Sequence, residues 1–334
     1  MTGVVLCAGR GTRLAPLSER LPKPLIEVAG RPMVHYPLAL LRAAGLRRII
    51  LNSHHLAAQL EGALGDGLRW GLELGYSREP RLLGTGGGLR HLAPLLDTDL
   101  AIVLNTDQIT DLDLTLLIAH HRATGAVATL ACLPSHPTLP HRRLTERDGW
   151  LTGLAPAGSR DGPLFMGCYC LDPILLARHT PPDPACILRH FLLPELAAGG
   201  RVALYPHPGF WLDTGDFGAI TRAEAALAAG LTVPTLDCRR LTERDGWLTG
   251  LAPAGSRDGP LFMGCYCLDP ILLARHTPPD PACILRHFLL PELAAGGRVA
   301  LYPHPGFWLD TGDFGAITRA EAALAAGLTV PTLD

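Results

Sequence analysis

The chain has 334 residues, with 29 lysines and arginines against 31 aspartates and glutamates, 48% hydrophobic and 18% charged residues. That balance excludes a disordered polyelectrolyte and gives no electrostatic footing for nucleic acid or an anionic membrane surface as partner. Residues 142–237 recur letter for letter as residues 239–334, with Cys238 between the copies, so only 237 residues are non-redundant; setting aside the repeat's eight arginines and ten acidic residues leaves 21 of each charge.

In chain order, apolar runs predict strands at 4–7 (VVLC), 47–53 (RRIILNS), 72–77 (LELGYS), 101–107 (AIVLNTD) and 126–134 (AVATLACLP). Helical patterns fall between them, at about 33–44, 56–64, 87–96 and 113–124. This rhythm predicts an α/β fold with a doubly wound, mostly parallel sheet, and in such folds ligands bind at the carboxyl ends of the strands. Beyond residue 141 the pattern loosens. A strand at LFMGCYCLDP, a helix near CILRHFLLPELAAG, a strand at RVALYPHP, the segment FWLDTGD and a last helix at TRAEAALAAG read as an extension of the same sheet, not a separate domain.

No apolar run approaches the roughly 18 residues needed to cross a bilayer, and the apolar stretch in MTGVVLCAGRGTRL is too short for a signal peptide, so a cytoplasmic protein is expected. Of nine cysteines, five are distinct (Cys7, Cys132, Cys168, Cys170, Cys186), Cys238 is the junction and three are copies; the odd number and the absence of CxxC spacing predict reduced thiols, without a disulfide or zinc framework. Repeat arrays drift in sequence because surface positions tolerate many residues. Perfect identity over 96 residues therefore predicts that 239–334 is a redundant copy, from recent tandem duplication or from assembly of the sequence.

Directly after the first strand comes LCAGRGTRLAPLSERLPKPL. Gly9 and Gly11 let the backbone turn tightly so that amide N–H groups can face phosphate oxygens, an anion cradle. It is not a Walker loop, lacking GxxxxGK[ST], nor the dinucleotide fingerprint, because Leu14 stands where the third glycine belongs. Lys23 is the single lysine of the chain, set between Pro22 and Pro24, while the other 28 cations are arginine. An ammonium is a compact point charge suited to phosphate.

This segment resembles the signature of the sugar-1-phosphate nucleotidylyltransferases, in which a G-x-G-T-R loop is followed by P-K-P. The likeness extends over residues 1–237 and is strongest to the muramate- and mannose-1-phosphate group. It implies a Rossmann-like, GT-A-type domain at 1–237, with a nucleotide-binding half at 1–141 and an acceptor half at 142–237. Ala8, Gly9, Gly11 and Thr12 would then cradle the nucleotide phosphates. Arg13 is assigned to the leaving pyrophosphate and Lys23 to the phosphates at the reacting centre. Asp107, in NTD where members usually read N-G-D, and Asp213, in FWLDTGD, are assigned to Mg²⁺. Two carboxylates plus nucleotide phosphates suit that ion, which prefers hard oxygens.

YSREPRLLGTGGGL resembles the family's nucleobase loop, which puts Glu79 at the base edge and Gly84, Thr85 and Gly86 beside the nucleotide. An ionised carboxylate only accepts hydrogen bonds, so it suits the imide N–H of uracil or thymine or the N1–H and N2–H₂ pair of guanine. UTP, dTTP or GTP is expected over ATP. Asn105 and Gly167, the latter in LFMGCYCLDP, are expected at the sugar. Cys168 and Cys170, two apart on one strand face, are expected to pack, and His54–His55 and His120–His121 lack metal-ligand spacing. One departure stands out: the stretch LTGLAPAGS has no cation where many members carry a lysine for the sugar phosphate, so either a nearby arginine such as Arg142 or Arg143 replaces it or the acceptor is held differently.

The implied reaction is NTP plus sugar 1-phosphate giving NDP-sugar and pyrophosphate, by positioning and charge neutralisation. The alternatives are a phosphocholine cytidylyltransferase-like enzyme and a non-catalytic sugar-nucleotide-binding regulatory subunit. With no β-helix tail in the sequence, a monomer or small homo-oligomer is expected.

Overall fold

The computed structural model describes residues 1–134, 143–236, 241–251 and 288–301. The chain divides into two compact units, Met1–Asp66 with Leu72–Leu236, and Gly67–Gly71 with Asp237–Asp334. Arg142 and Asp310, the copy of Asp213, lie outside the described residues.

The first unit runs β1 (Thr2–Leu6), α1 (Leu17–Arg20), β2 (Glu27–Val28), β3 (Arg31–Pro32), α2 (His35–Ala43), β4 (Arg48–Ser53), α3 (Ala57–Leu64), β5 (Glu73–Arg78), α4 (Gly84–Leu92), β6 (Ala101–Asn105), β7 (Gln108–Thr110), α5 (Leu114–Thr124) and β8 (Ala128–Leu133). It continues with β9 (Leu144–Arg147), β10 (Trp150–Leu154), β11 (Leu164–Leu171), α6 (Leu175–Arg178), α7 (Leu193–Ala197), β12 (Val202–Pro206), β13 (Trp211–Asp213) and α8 (Phe217–Ala228). Nine strands form one sheet in the order β5-β4-β1-β6-β11-β8-β12-β10-β9. From β5 to β6 every neighbour is parallel, as the alternating helices require, and β8 and β12 are parallel to each other.

The expectation of a mostly parallel sheet is met in this half and corrected in the other, where the sheet is mixed. β11 is antiparallel to both β6 and β8, between which it is inserted. At the edge, β9 and β10 form an antiparallel hairpin that periodicity did not predict. Its turn is Asp148-Gly149, both with positive φ (52° and 80°), the two-residue turn whose twist matches paired strands. That Asp-Gly was the legible signal.

One core cluster lies on a single face of the sheet, where Val4, Ile50, Val103, Tyr169 and Leu130 are register partners, and packs there with Leu89 and Phe191, among others. A second cluster, including Leu14, Ile26, Val28, Met33, Ile109, Leu212 and Ile220, ties the segment after β1 to β7, β13 and α8. Helix α4 starts at Gly84, three residues before the predicted start. Glycines are poor helix formers, and tertiary contact supplies the reason: the Gly86 N–H donates to the Ala185 carbonyl (2.9 Å), and a Cβ at Gly86 would come within 2.6 Å of the Phe191 ring. None of the helices among the described residues is long and apolar enough to cross a membrane.

In the second unit, β14 (Leu241–Arg244) and β15 (Trp247–Leu251) pair antiparallel with the register and bulge of β9 and β10, 97 residues on. The guanidinium of Arg298 stands 3.7 Å over Trp247 as that of Arg201 stands 3.5 Å over Trp150. A short helix, Leu290–Ala294, repeats α7.

Phe191 is fully buried against α4. Phe191→Ala is expected to lower the unfolding free energy by about 3–5 kcal/mol, checked by urea titration followed through tryptophan fluorescence.

Candidate active site

At the carboxyl end of β1 the chain enters the glycine-rich turn. Gly11 adopts the left-handed conformation (φ 64°, ψ 38°) before the 3-10 turn Thr12–Leu14, and its carbonyl accepts from the Leu14 N–H at 2.8 Å. Two constraints demand glycine here: the positive φ, and the stem of Lys23, whose Cβ would lie 2.9 Å from a Cβ at position 11. Gly9 has open space around it, and Ala8 is buried. Lys23 begins a one-turn 3-10 helix (Lys23–Leu25) between its prolines and is 9% exposed. Its ammonium donates to Asp107 Oδ2.

Asp107 lies between β6 and β7. Its carbonyl accepts from the N–H (2.7 Å) and hydroxyl (2.9 Å) of Thr214, and β7 pairs with β13 so that Gln108 faces Asp213. The two carboxylates therefore sit on adjoining segments. Asp213 Oδ1 accepts from the Gly215 N–H at 2.7 Å, and Arg13 approaches Asp213 at 4.0 Å and Asp216 at 3.8 Å. A Cβ at Gly215 would strike the Arg13 guanidinium. Arg13, Lys23, Asp107 and Asp213 are thus brought together from segments far apart in sequence. Among the described residues no set of three or more His, Cys, Asp or Glu side chains gathers as a metal site.

On the acceptor side, Gly167 has φ 73°, and a Cβ there would collide with the side-chain amides of Asn105 and Gln108. The Cys168 thiol donates to Gln108 Oε1 (2.8 Å). Gln108, buried, is a site residue that the motifs did not single out; its position after NTD was the available signal. Burial pushes the thiols of Cys7 and Cys170 up to about 12 and that of Cys168 higher still, so these cysteines are packing groups at neutral pH.

The segment expected to read the nucleobase is tied inward. Glu79 is 5% exposed; Oε1 accepts from Asn52 Nδ2 (2.7 Å) and Oε2 from the Leu83 N–H (2.9 Å). Gly84 has φ 74° with no room for a Cβ against Ala185, the Thr85 hydroxyl accepts from the Ile187 N–H (3.1 Å), and so Gly84, Thr85 and Gly86 all dock α4 onto residues 185–187. Arg143 is corrected as a stand-in for the missing phosphate lysine: it is 1% exposed, with its backbone bridged to Leu164, so its guanidinium cannot meet an acceptor from solvent. The histidines are structural. Nδ1 of His54 lies 3.0 Å from the Glu79 carbonyl, Nε2 of His55 lies 2.8 Å from that of Ser18, and burial holds the His121 pKa below its usual range beside Thr129.

A positively charged turn, an embedded ammonium and paired carboxylates at the carboxyl edge of parallel strands describe a protein that handles phosphates. A family model described as Nucleotidyl transferase matches residues 2–142. The chain is 32% identical over 244 residues to the N-acetylmuramate alpha-1-phosphate uridylyltransferase of Neisseria meningitidis serogroup B, aligning 69% of this chain with 99% of that protein. It is 31% identical over 244 residues to a mannose-1-phosphate guanylyltransferase of Mycobacterium tuberculosis, aligning 68% of this chain but only 65% of that longer relative. HddC from Yersinia pseudotuberculosis, solved in complex with GMP-PN, shares the fold at 21% identity with a TM-score of 0.59, covering 68% of this chain and 99% of that one. The chain belongs to the sugar-1-phosphate nucleotidyltransferase family and is an enzyme of the nucleotidyltransferase class.

Lys23 and Asp107 neutralise each other with little solvent around them, their side chains being 11% and 16% exposed. Lys23→Met leaves a largely buried carboxylate alone and is expected to cost on the order of 2 kcal/mol of stability. Adding Asp107→Asn to it should return most of that loss without returning turnover, as thermal unfolding and activity measured on the same samples would show.

Proposed function

We propose that residues 1–237 form a catalytic unit that transfers a nucleotidyl group from UTP, dTTP or GTP to a sugar 1-phosphate, and that residues 239–334 are a redundant copy of its acceptor half. The observation that carries this reading is the convergence of Lys23 on Asp107 and of Arg13 on Asp213 at one end of the sheet. An oxygen of the sugar phosphate attacks the α-phosphorus in line, forming the new P–O bond as the bond to pyrophosphate breaks. The attacking oxygen is already anionic at neutral pH, so no side chain has to remove a proton.

In this scheme the amides of Ala8, Gly9, Gly11 and Thr12 hold the triphosphate, and the exposed Arg13 neutralises the departing pyrophosphate. Lys23, held rigid by its prolines and by the close approach of Gly11, passes its ammonium from Asp107 to the phosphate oxygens as substrate arrives. Asn105, with Gln108 beside it, and the Gly167 backbone orient the sugar. The preference for UTP, dTTP or GTP is supported by the uridylyl- and guanylyltransferase relatives.

The donor set fits Mg²⁺. Two carboxylates on adjoining strand ends supply hard oxygens, the ammonium on Asp107 marks a place where positive charge is favoured, and phosphate oxygens and water complete such a shell. Asp107 and Asp213 would hold the ion, whose bound charge offsets that of the phosphates. The working form is taken to be a monomer or small homo-oligomer.

The test is pyrophosphate release with Mg²⁺ across a grid of nucleoside triphosphates and sugar 1-phosphates. Release with a uracil, thymine or guanine nucleotide is expected, and a truncation ending at residue 237 should match the full chain. Strong turnover of ATP would overturn the base assignment. Asp107→Asn and Asp213→Asn are each expected to lower turnover by about two orders of magnitude or more in folded protein, and near-normal rates would remove the metal assignment.

A further inference from the structure

A run of buried hydrogen bonds joins the two loops that the proposed nucleotide site places at opposite ends of the ligand. The Cys7 N–H, at the start of the glycine-rich turn, donates to Asn52 Oδ1 at 2.6 Å. Asn52 Nδ2 donates to Glu79 Oε1 at 2.7 Å, and Glu79 Oε2 accepts from the Leu83 N–H at 2.9 Å, one residue before α4. Cys7, Asn52 and Glu79 are 3%, 3% and 5% exposed, so these bonds are shielded from competing water. The run has no slack: a Cβ at Gly88 would come within 2.8 Å of the Asn52 amide and closer still to the Glu79 carboxylate.

The chemistry of position 52 is restrictive. It has to accept from a backbone N–H on one side and donate to a carboxylate on the other, which an amide does and neither a carboxylate nor an apolar group can. We infer that Asn52 is a positioning residue that fixes the glycine-rich turn relative to the Glu79–Gly84 loop, setting the separation between the phosphate-binding and base-binding ends of the nucleotide site. Glu79 acts through Asn52 and Leu83, each of its two oxygens accepting from one of them. The inference rests on the proposed nucleotide site and goes beyond it.

The polarity of the central bond supplies the test. Asn52→Asp sets two acceptors against each other. Glu79→Gln alone turns an amide donor toward either Asn52 or the Leu83 N–H. Together, the two changes reverse the central bond, the new amide at position 79 donating to the new carboxylate at position 52, and keep acceptors for both backbone N–H groups. Nucleotide affinity in the absence of acceptor, kcat, KM and thermal unfolding would be measured on full-length wild type, both single variants and the double variant. Each single variant is expected to raise the Kd and KM for the nucleotide about tenfold with kcat within about threefold of wild type, and the double variant to recover both to within about threefold.

A folded double variant as weak in binding as Glu79→Gln would overturn the inference and return the carboxylate to direct contact with the base. Single variants that bind like wild type would overturn it as well. If the single variants do not fold, the double variant decides, since it has to fold and bind nucleotide. Wild type that binds no nucleoside triphosphate would overturn the site itself and this role with it, whereas the other outcomes strike the positioning role alone.

Discussion

The ion pair between Lys23 and Asp107 organises this end of the sheet because each partner is costly there without the other. Both side chains are largely withdrawn from water, and an unpaired charge in such a place is strongly destabilising. The pair pins the loop after β1 to the junction of β6 and β7. That junction in turn holds Thr214 through the Asp107 carbonyl, and Thr214 follows Asp213. One electrostatic contact therefore registers three segments, and the apolar cluster of Leu14, Ile26, Ile109, Leu212 and Ile220 beneath them makes the registration rigid. The scaffold does not depend on that bond alone, so the proposed transfer of the ammonium to a phosphate leaves the registration in place.

Much of the first half was legible because its chemistry is local. β1, β4, β5, β6 and β8 follow from short apolar runs, and α2, α3 and α5 from helical spacing between them; the N-cap of α5 is an Asp113 whose carboxylate accepts from the Thr115 N–H at 2.8 Å. Gly11 and Lys23 were legible as types, a permissive backbone and a lone ammonium. Their mutual contact was not, since no spacing rule states that position 11 has to leave room for the stem of Lys23.

What could not be read was set by non-local pairing. β11 carries the same kind of apolar run as a parallel strand, and its direction is decided only by the gap between β6 and β8 that it fills. The site shows the same division. Asp107 and Asp213 could be chosen from their motifs, but Asn52 and Gln108 are polar residues at strand ends whose importance lies in partners 27 and 60 residues away. Glu79 could be read as a carboxylate near a nucleotide, while the donors that bury it, Asn52 and the Leu83 N–H, are visible only once β4, β5 and α4 are assembled.

The repeated block separates these two kinds of information within one molecule. The hairpin of β14 and β15 has the register, the bulge and the Asp-Gly turn of β9 and β10, with positive φ at Asp245 and Gly246 as at Asp148 and Gly149. That structure is encoded by the residues that form it. β11 is different, because both of its ladders run to strands in residues 1–141, which the sequence contains once. Two identical sequences therefore compete for a single gap. Only connection length distinguishes them, at about 0.6 kcal/mol per doubling of the loop, and the nearer copy holds the place.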